Sequence, residues 1–207
     1  QAGKKPVIAL DNTMGSFIKA YADAHDLNHG DDISLSFGDL LERYLERSRD
    51  VLIRDYRART NRHRLTNDEL GHSAVGAYED ALECIQAGDF YSIPISPIDY
   101  IEQQLERAGY TVAEVTGRKV GLTYGVDGSA TYKIRPVQET TAKGKIDAVA
   151  QFNAGQADVI LLNCSGSTGI SLHASEKFTD QRPRHMIMAQ AERDINVFMQ
   201  MLGRVHR

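Results

Sequence analysis

One short apolar segment near the carboxyl end most strongly constrains the fold of this chain. Residues 158–162 read Asp-Val-Ile-Leu-Leu, and no polar residue interrupts the run from Val159 to Leu162. A short, continuous run of branched apolar residues is typical of a strand that is buried on both faces. Such strands occur in parallel sheets whose two faces are covered by helices. The run therefore predicts an α/β protein.

The segments around this strand favour the same architecture. We predict a helix at about 143–153, a further strand at 185–188 and a closing helix from about Asp194. A first strand at 7–10 precedes them, and Asp127-Gly128 marks a β-hairpin. Alternating strands and helices predict a mainly parallel sheet with helices on both faces.

Residues 37–108 have a different pattern, which predicts helices. Capping signals place helix starts at Ser36, Thr66 and Ser96, and the apolar stripe of the first helix continues through Leu52. We therefore expect a helical block from about Phe37 to Ala108 that forms a separate layer on the sheet and does not extend it. Two or more strands between Phe37 and Leu82 would contradict this expectation.

Composition excludes several classes of protein. The chain has 207 residues, of which 42% are hydrophobic, and its formal net charge is −4. This balance argues against a disordered chain and against a strongly basic nucleic-acid binder. The two cysteines are too few for a disulfide framework, and no apolar run is long enough to span a membrane. Reduced thiols in a cytoplasmic protein are therefore expected, and a chain that begins at Gln1 and ends within a predicted helix suggests a fragment of a longer protein.

The loop after the buried strand is a candidate phosphate-binding segment. Gly166 and Gly169 allow a close approach of the backbone, and hydroxyl and N–H groups come from Ser165, Ser167 and Thr168. An ordinary turn between a strand and the next element explains the loop equally well. Ligands of parallel sheets bind at the carboxyl ends of the strands, which points to this loop and to residues 11–13.

The last helix has two faces at 3.6 residues per turn. The apolar face is predicted to pack on the sheet and contains Ile195, Phe198, Leu202 and Val205. The opposite face would present Gln200, Arg204 and Arg207 to the outside. The alternative is an ordinary solvated polar face.

These segments together resemble a known family. DVILLNCSGSTGISLHA and QMLGRVHR resemble motifs V and VI of superfamily 2 helicases, and KPVIALDNT resembles the strand of motif IV. STGISLHAS, QRPRHMIMAQAERDINVFMQMLGRVHR and PISPIDYIEQQLERAGYTVAEVTGR are similar to the strawberry-notch-type helicases. The resemblance implies a single RecA-like C-terminal lobe over 1–207, with its core at about 4–23 and 94–207 and a helical insertion at about 24–93.

The resemblance also implies roles for individual residues. Arg204 and Arg207 match the arginine fingers, which stabilise charge on a transferred phosphoryl group. Gln200, Gly169 and Ser171 fall on the nucleotide side, although Ser171 replaces an acid that contacts the ribose in DEAD-box relatives. Nucleic-acid contacts are implied for the strand ends and the loop, at Asn12, Thr13, Ser165, Gly166, Ser167 and Thr168.

The implied function is the C-terminal motor lobe of an ATP-dependent helicase or translocase, and the resemblance implies a location in a bacterial cytoplasm or nucleoid. Its partners would be DNA or RNA and an N-terminal RecA-like lobe outside this chain, and no membrane is involved. The sequence contains neither a GxxxxGK[ST] loop nor a DExH-like acidic tetrad. ATP and Mg²⁺ would therefore be bound in the parent protein, and we expect this chain alone not to hydrolyse ATP.

Two alternatives to a motor lobe remain open. A non-catalytic nucleic-acid-binding or interaction module could have the same fold, although it would have little reason to keep both arginines. A Rossmann-type nucleotide enzyme would need a GxGxxG after the first strand, and the sequence has none there.

Two further patterns are candidate binding sites. Residues 54–64 are rich in arginine, and Arg57 and Arg62 are candidates for contacts with phosphates. A solvated helix end is the alternative for this run. His25 and His29 are four residues apart, but Gly30 interrupts the helix and no third ligand is spaced suitably. We therefore expect no metal site.

Overall fold

The fold was analysed in a computed structural model, which describes residues 3–54, 57, 59–90, 92–163, 169–190 and 194–205. The chain forms two compact units. One consists of Gln1–Ile33 and Ser96–Arg207, and the other consists of Ser34–Ile95. Within the described ranges, none of the helices combines the length and the apolar character that crossing a membrane requires.

The elements are numbered along the chain. The strands are β1 (Lys5–Leu10), β2 (Asp50–Arg54), β3 (Thr60–Arg64), β4 (Val112–Val115), β5 (Val120–Tyr124), β6 (Ala130–Ile134), β7 (Val159–Asn163) and β8 (Arg184–Met188). The helices are α1 (Gly15–Ala24), α2 (Phe37–Arg47), α3 (Asn67–Leu70), α4 (His72–Ala87), α5 (Pro97–Arg107), α6 (Val137–Thr140), α7 (Ala142–Ala154) and α8 (Ile195–Val205).

The first unit contains a four-stranded sheet in the order β4-β7-β1-β8. All three neighbouring pairs are parallel, and Val7 lies opposite Ile160 on one side and Met186 on the other. Every residue of β7 is buried. The prediction of a parallel sheet around this strand is confirmed, and its four strand ends therefore point in one direction.

Helices cover both faces of this sheet. On one face, Phe152 of α7 and Met201 of α8 pack in a cluster with Ile160 and Leu162. On the other, Ile98 of α5 packs against Leu161. This arrangement is the RecA-like α/β fold that the sequence predicts. The predicted hairpin is also present, as an antiparallel pair of β5 and β6.

The second unit corrects the prediction of an entirely helical block. The predicted helix starts at Ser36 and Thr66 are present, each with a reciprocal capping box. However, α2 ends at Arg47, and residues 50–64 form the antiparallel strands β2 and β3 where a helix and a helix end were expected. The β-branched residues of Val51-Leu52-Ile53 suit a strand. Among the described strands, these two pair only with each other, so they do not extend the four-stranded sheet.

A buried lysine joins the amino end of the sheet to the segment before β8. Lys5 is completely buried, and its Nζ donates to Phe152 O and, at 2.7 Å, to Asp180 Oδ2. The same Nζ lies 4.2 Å from the centre of the Phe152 ring. Hydrogen bonds from Arg182, and then from Lys5, hold the pKa of Asp180 well below its usual value, although burial opposes this shift.

We predict that Asp180→Asn lowers the free energy of unfolding at pH 7 by about 3 kcal/mol, because it leaves the Lys5 ammonium buried without its counterion. A carboxylate whose pKa is lowered by folding stabilises the protein above its unfolded pKa, about 3.9, and loses this contribution as the pH falls further. The difference between the variant and the original protein should therefore shrink at pH 3. Urea denaturation at both pH values measures it.

The control is Asp23→Asn, which removes the partner of Lys19 in an exposed pair. Such pairs contribute about 1 kcal/mol or less. If both variants lowered the free energy of unfolding equally, the buried pair would stabilise the protein no more than an exposed pair does.

Candidate functional site

The carboxyl ends of the parallel strands meet at one edge of the sheet, as expected for this fold. Asn12 and Thr13 follow β1, and Asn163 is the last residue of β7. The Asn12 N–H donates to Oε1 of Gln190, which follows β8, at 2.9 Å. Asn12 Oδ1 also accepts from Met14 N, at 2.8 Å. These two bonds fix the turn between β1 and α1.

A cleft of about 350 Å³ opens at this edge. Its polar lining comes from three separate segments of the chain, at Asn12, Thr13, Ser16, Asn163, Lys19, Arg118 and Lys119. None of the described residues that line it is acidic. A concave surface with cations, amides and hydroxyls is suited to an anion such as a phosphate group.

The first turn of α1 forms one wall of the cleft through Gly15 and Ser16. Its N-cap is Met14, which has a left-handed conformation with φ 55° and provides no side-chain cap. The first N–H groups of a helix lack acceptors within the helix, and they attract anions. A Cβ atom at Gly15 would lie 3.0 Å from Arg118 Cβ, so a glycine permits this close approach.

Arg118 lines the cleft but is already engaged by carboxylates. Its Nη1 lies 2.6 Å from Asp99 Oδ1, and its Nη2 lies 2.7 Å from Glu114 Oε2. All three side chains are almost fully buried. Burial alone would lower the pKa of Arg118, but Glu114 and then Asp99 raise it above its ordinary value. Arg118 is therefore a structural cation of the cleft wall.

Two further groups complete this buried network. Arg135 Nη1 donates to Glu114 Oε1 at 2.7 Å, so Glu114 lies between two guanidinium groups. Burial, and then the neighbouring Glu114, raise the pKa of Glu102 to about 7. A Cβ atom at Gly121 would lie 2.6 Å from both Arg118 Nη1 and Asp99 Oδ1, so only glycine leaves room for this pair.

Lys19 and Lys119 are the exposed cations of the cleft. Lys19 pairs with Asp23 at 2.7 Å, in an exposed pair that competes weakly with a ligand. Neither lysine, nor Arg118, was predicted from the sequence as a site residue. Thr116-Gly117-Arg118 at the end of β4 was the available signal, since it follows a strand at the same edge.

The loop predicted to contact nucleic acid, with Ser165, Gly166, Ser167 and Thr168, lies outside the described residues. The predicted finger Arg207 lies outside them too. Gly169 is exposed with φ 79°.

Ser171 is half-buried, and its Oγ lies 2.5 Å from His173 Nδ1. His173 therefore holds the Ser171 hydroxyl in place.

The prediction for the faces of α8 is wrong in part. Met201 is 2% exposed and packs in the core, whereas Ile195, which was expected to pack on the sheet, is 66% exposed. Gln200 is exposed, as expected. Apolar residues occur on almost every side of this helix, so their spacing does not select one buried face.

Arg204 also differs from the prediction, because it is half-buried rather than presented to solvent. Its Nη1 donates to Ile170 O at 3.1 Å, and its backbone carbonyl accepts from Leu172 N at 3.0 Å. Its Nε is buried without a hydrogen-bond partner in the part of the chain that the structure describes. The end of α8 is thus bonded to the segment that follows the predicted phosphate-binding loop.

The remaining candidate residues lie apart from these features. Arg57 and Arg62 are exposed residues of the second unit. His25 Nδ1 contacts Tyr21 O at 2.9 Å, and His29 Nδ1 accepts from Ile134 N at 2.9 Å. Among the described residues, no three His, Cys, Asp or Glu side chains are grouped so that they could hold a metal ion.

We predict that Arg118→Met lowers the free energy of unfolding by about 3–5 kcal/mol, because it leaves buried carboxylates without their counterion. Lys119→Met, in the next residue, should change it by less than about 1 kcal/mol, since surface substitutions are usually small. Chemical denaturation of both variants measures the difference. A mild effect of Arg118→Met would contradict its role as the counterion of these carboxylates.

Comparisons with known proteins identify the family. Residues 96–207 match the family model described as the C-terminal domain on strawberry notch homologues. The chain is 29% identical to Drosophila melanogaster strawberry notch over 114 residues, which are 54% of this chain and 7% of that protein. It is 29% identical to FORGETTER 1 of Arabidopsis thaliana over 136 residues, 63% of this chain and 10% of that protein.

Human strawberry notch homolog 1 is 27% identical over 114 residues, 54% of this chain and 8% of that protein. The chain therefore spans a tenth or less of the length of these curated relatives. No solved structure matches it. The family match covers more than half of the chain, and the chain belongs to the strawberry notch family, as a helicase-type C-terminal domain.

Proposed function

We propose that this chain is the C-terminal motor lobe of an ATP-dependent nucleic-acid helicase or translocase. In this proposal the lobe supplies arginine fingers to an ATP site shared with a second lobe, and it binds the backbone of DNA or RNA. The family match supports a helicase-type domain. The link between α8 and the segment after β7 supports a motor rather than a passive binding module.

That link is the observation that carries the proposal. Both the Arg204 side chain and the Arg204 carbonyl bond to residues 170–172, at 3.1 and 3.0 Å. The segment therefore joins the candidate nucleic-acid loop at 165–168 to the helix of the candidate fingers. A motor must couple nucleic-acid binding to ATP hydrolysis, and a direct mechanical connection between the two elements serves that purpose.

On the nucleotide side, the residue types suit a triphosphate. Arg204 and Arg207 provide guanidinium groups, Gln200 an amide, and Gly169 and Ser171 backbone groups near the same loop. These groups would stabilise charge that develops on the transferred phosphoryl group.

The other half of the ATP site would come from the second lobe. The sequence has no phosphate-binding loop of the GxxxxGK[ST] type. The sequence also has no DExH-like acidic tetrad, so Mg²⁺ would be held by that lobe as well. ATP is thus the substrate of the two lobes together.

On the nucleic-acid side, the cleft at the strand ends would take the sugar–phosphate backbone. Asn12 and Thr13 contribute polar groups, α1 contributes its amino end, and Lys19 and Lys119 contribute charge. Contacts of this kind are independent of base sequence and sensitive to salt. The loop at 165–168 would extend them along the same edge of the sheet.

In a protein that contains both lobes, we predict that Arg207→Ala lowers kcat for ATP by about 100-fold, or about 3 kcal/mol, at saturating nucleic acid. Arg204→Ala should lower it similarly, because it also removes the bond to Ile170. Affinity for nucleic acid should change little, since a finger acts in the transition state. Steady-state ATPase assays with parallel binding isotherms measure both effects.

The matched control is Lys143→Ala, which removes an exposed cation from α7 of the same unit. Normal turnover in Arg207→Ala would overturn the finger assignment. If a protein with both lobes bound nucleic acid but hydrolysed no ATP, the alternative would hold, namely a non-catalytic nucleic-acid-binding module.

For the cleft, we predict that Lys19→Gln with Lys119→Gln weakens binding of the 207-residue chain to a labelled 30-nucleotide strand. On a single strand, log affinity falls as log salt concentration rises, and each lost phosphate contact reduces the steepness of this fall by about 0.7. The steepness for the double variant should therefore be smaller by about 1.4, whereas Lys143→Gln should leave it unchanged. Fluorescence anisotropy at several salt concentrations measures this salt dependence. An unchanged dependence in the double variant would exclude the cleft as a nucleic-acid-binding site.

A further inference from the structure

The unit Ser34–Ile95 lies outside the segment that matches the family model, and its charges are strongly segregated. Residues 50–64 contain five arginines and two aspartates, whereas the rest of the unit contains three arginines and nine acidic residues. Every basic residue of the unit other than histidine is arginine, and none is lysine. Arginine is the cation that binds phosphate groups through two parallel hydrogen bonds.

The strand register places arginines from both strands on one side of the hairpin. Leu52 lies opposite Arg62, Asp50 opposite Arg64 and Arg54 opposite Thr60. Alternate residues of a strand share a face, and residues directly opposite each other share it too. We call this surface the arginine face, and it consists of Asp50, Leu52, Arg54, Thr60, Arg62 and Arg64.

The arginine face is open to solvent. Leu52 is 72% exposed, and the side chains of Arg62 and Arg64 are 65% and 55% exposed. Its one acid, Asp50, has a side chain only 12% exposed, and it lies 3.0 Å from Arg64 and 3.9 Å from Arg62. Asp50 therefore orients two arginines while most of each guanidinium-bearing side chain stays accessible.

The opposite face of the hairpin is anchored within its own unit. His63 is half-buried, and its Nε2 lies 2.9 Å from Glu69 of α3. At the base of the hairpin, Arg49 donates to Leu65 O at 3.0 Å and to Asn67 Oδ1 at 2.7 Å. These bonds hold the strands in place, so the arginine face is presented in a defined orientation.

We propose that the arginine face is a second nucleic-acid-binding surface, which contacts the sugar–phosphate backbone independently of the cleft. Residues two apart in a strand are separated by about 7 Å. Arg62 and Arg64 therefore present two cations at a regular spacing to a sugar–phosphate backbone that carries one charge per nucleotide. Leu52, between the charges, offers an apolar contact for a sugar or a base.

The choice of nucleic acid over an acidic protein rests on the proposed function. The hairpin can be varied without changing the ATP site or the cleft, because the bonds described above for its support lie within residues 49–69. The two surfaces can therefore be tested separately in the 207-residue chain.

The test uses Arg54→Gln with Arg62→Gln, and labelled 30-nucleotide strands of DNA and of RNA as probes. The double variant should bind the preferred probe about tenfold more weakly at low salt. The steepness with which its log affinity falls against log salt concentration should be smaller by about 1.4. Arg47→Gln is the matched control, since it removes an exposed charge from α2 of the same unit without touching the hairpin. Thermal unfolding should be the same for all three proteins.

The outcomes separate this proposal from the function of the lobe. If the hairpin variant binds normally while the double lysine variant of the cleft does not, the arginine face is excluded and the lobe function stands. If only the hairpin variant weakens binding, the arginine face stands and the cleft is excluded. If Arg47→Gln has the same effect as the hairpin variant, overall charge explains the binding and the arginine face is excluded. A chain that binds neither probe overturns both proposals.

Discussion

Complete burial of β7 is the constraint on which the first unit depends. Its side chains are enclosed from both faces, and its backbone is paired on both edges, with β4 and with β1. A strand of this kind can exist only inside a parallel sheet that is covered on both sides. The same constraint brings the ends of β1, β4 and β7 together, which creates the cleft without any single segment encoding it.

Buried charges reinforce the two ends of this sheet in different ways. At the amino end, Lys5 and Asp180 join β1 to the segment before β8. At the carboxyl end, Arg118 binds Asp99 of α5 and Glu114 of β4. Both clusters satisfy ions that would be costly to bury alone. The cluster at the carboxyl end also engages Arg118, so the cations of the cleft that remain accessible to a ligand are Lys19 and Lys119.

Local sequence signals predicted the features that depend on neighbouring residues, and they failed where distant residues decide. Capping boxes at Ser36 and Thr66 and the apolar run of β7 identify their elements directly. Residues 50–64 were misassigned because Val51 and Leu52 also continue a helical stripe, and their strand partners come ten or more residues later. The engagement of Arg118 by two carboxylates was likewise invisible, since Asp99 lies on another element.

The separate hairpin unit has a consequence for the order of folding. Val7 must find Ile160 across most of the chain, and pairing over such separations makes folding slow. By contrast, the ladder between Asp50 and Arg64 joins near neighbours and can form early. Once ordered, the unit Ser34–Ile95 shortens the flexible path between α1 and α5, which reduces the entropy lost when the sheet closes. The entropic cost that such a unit adds to folding of the lobe is therefore smaller than that of a flexible segment of the same length.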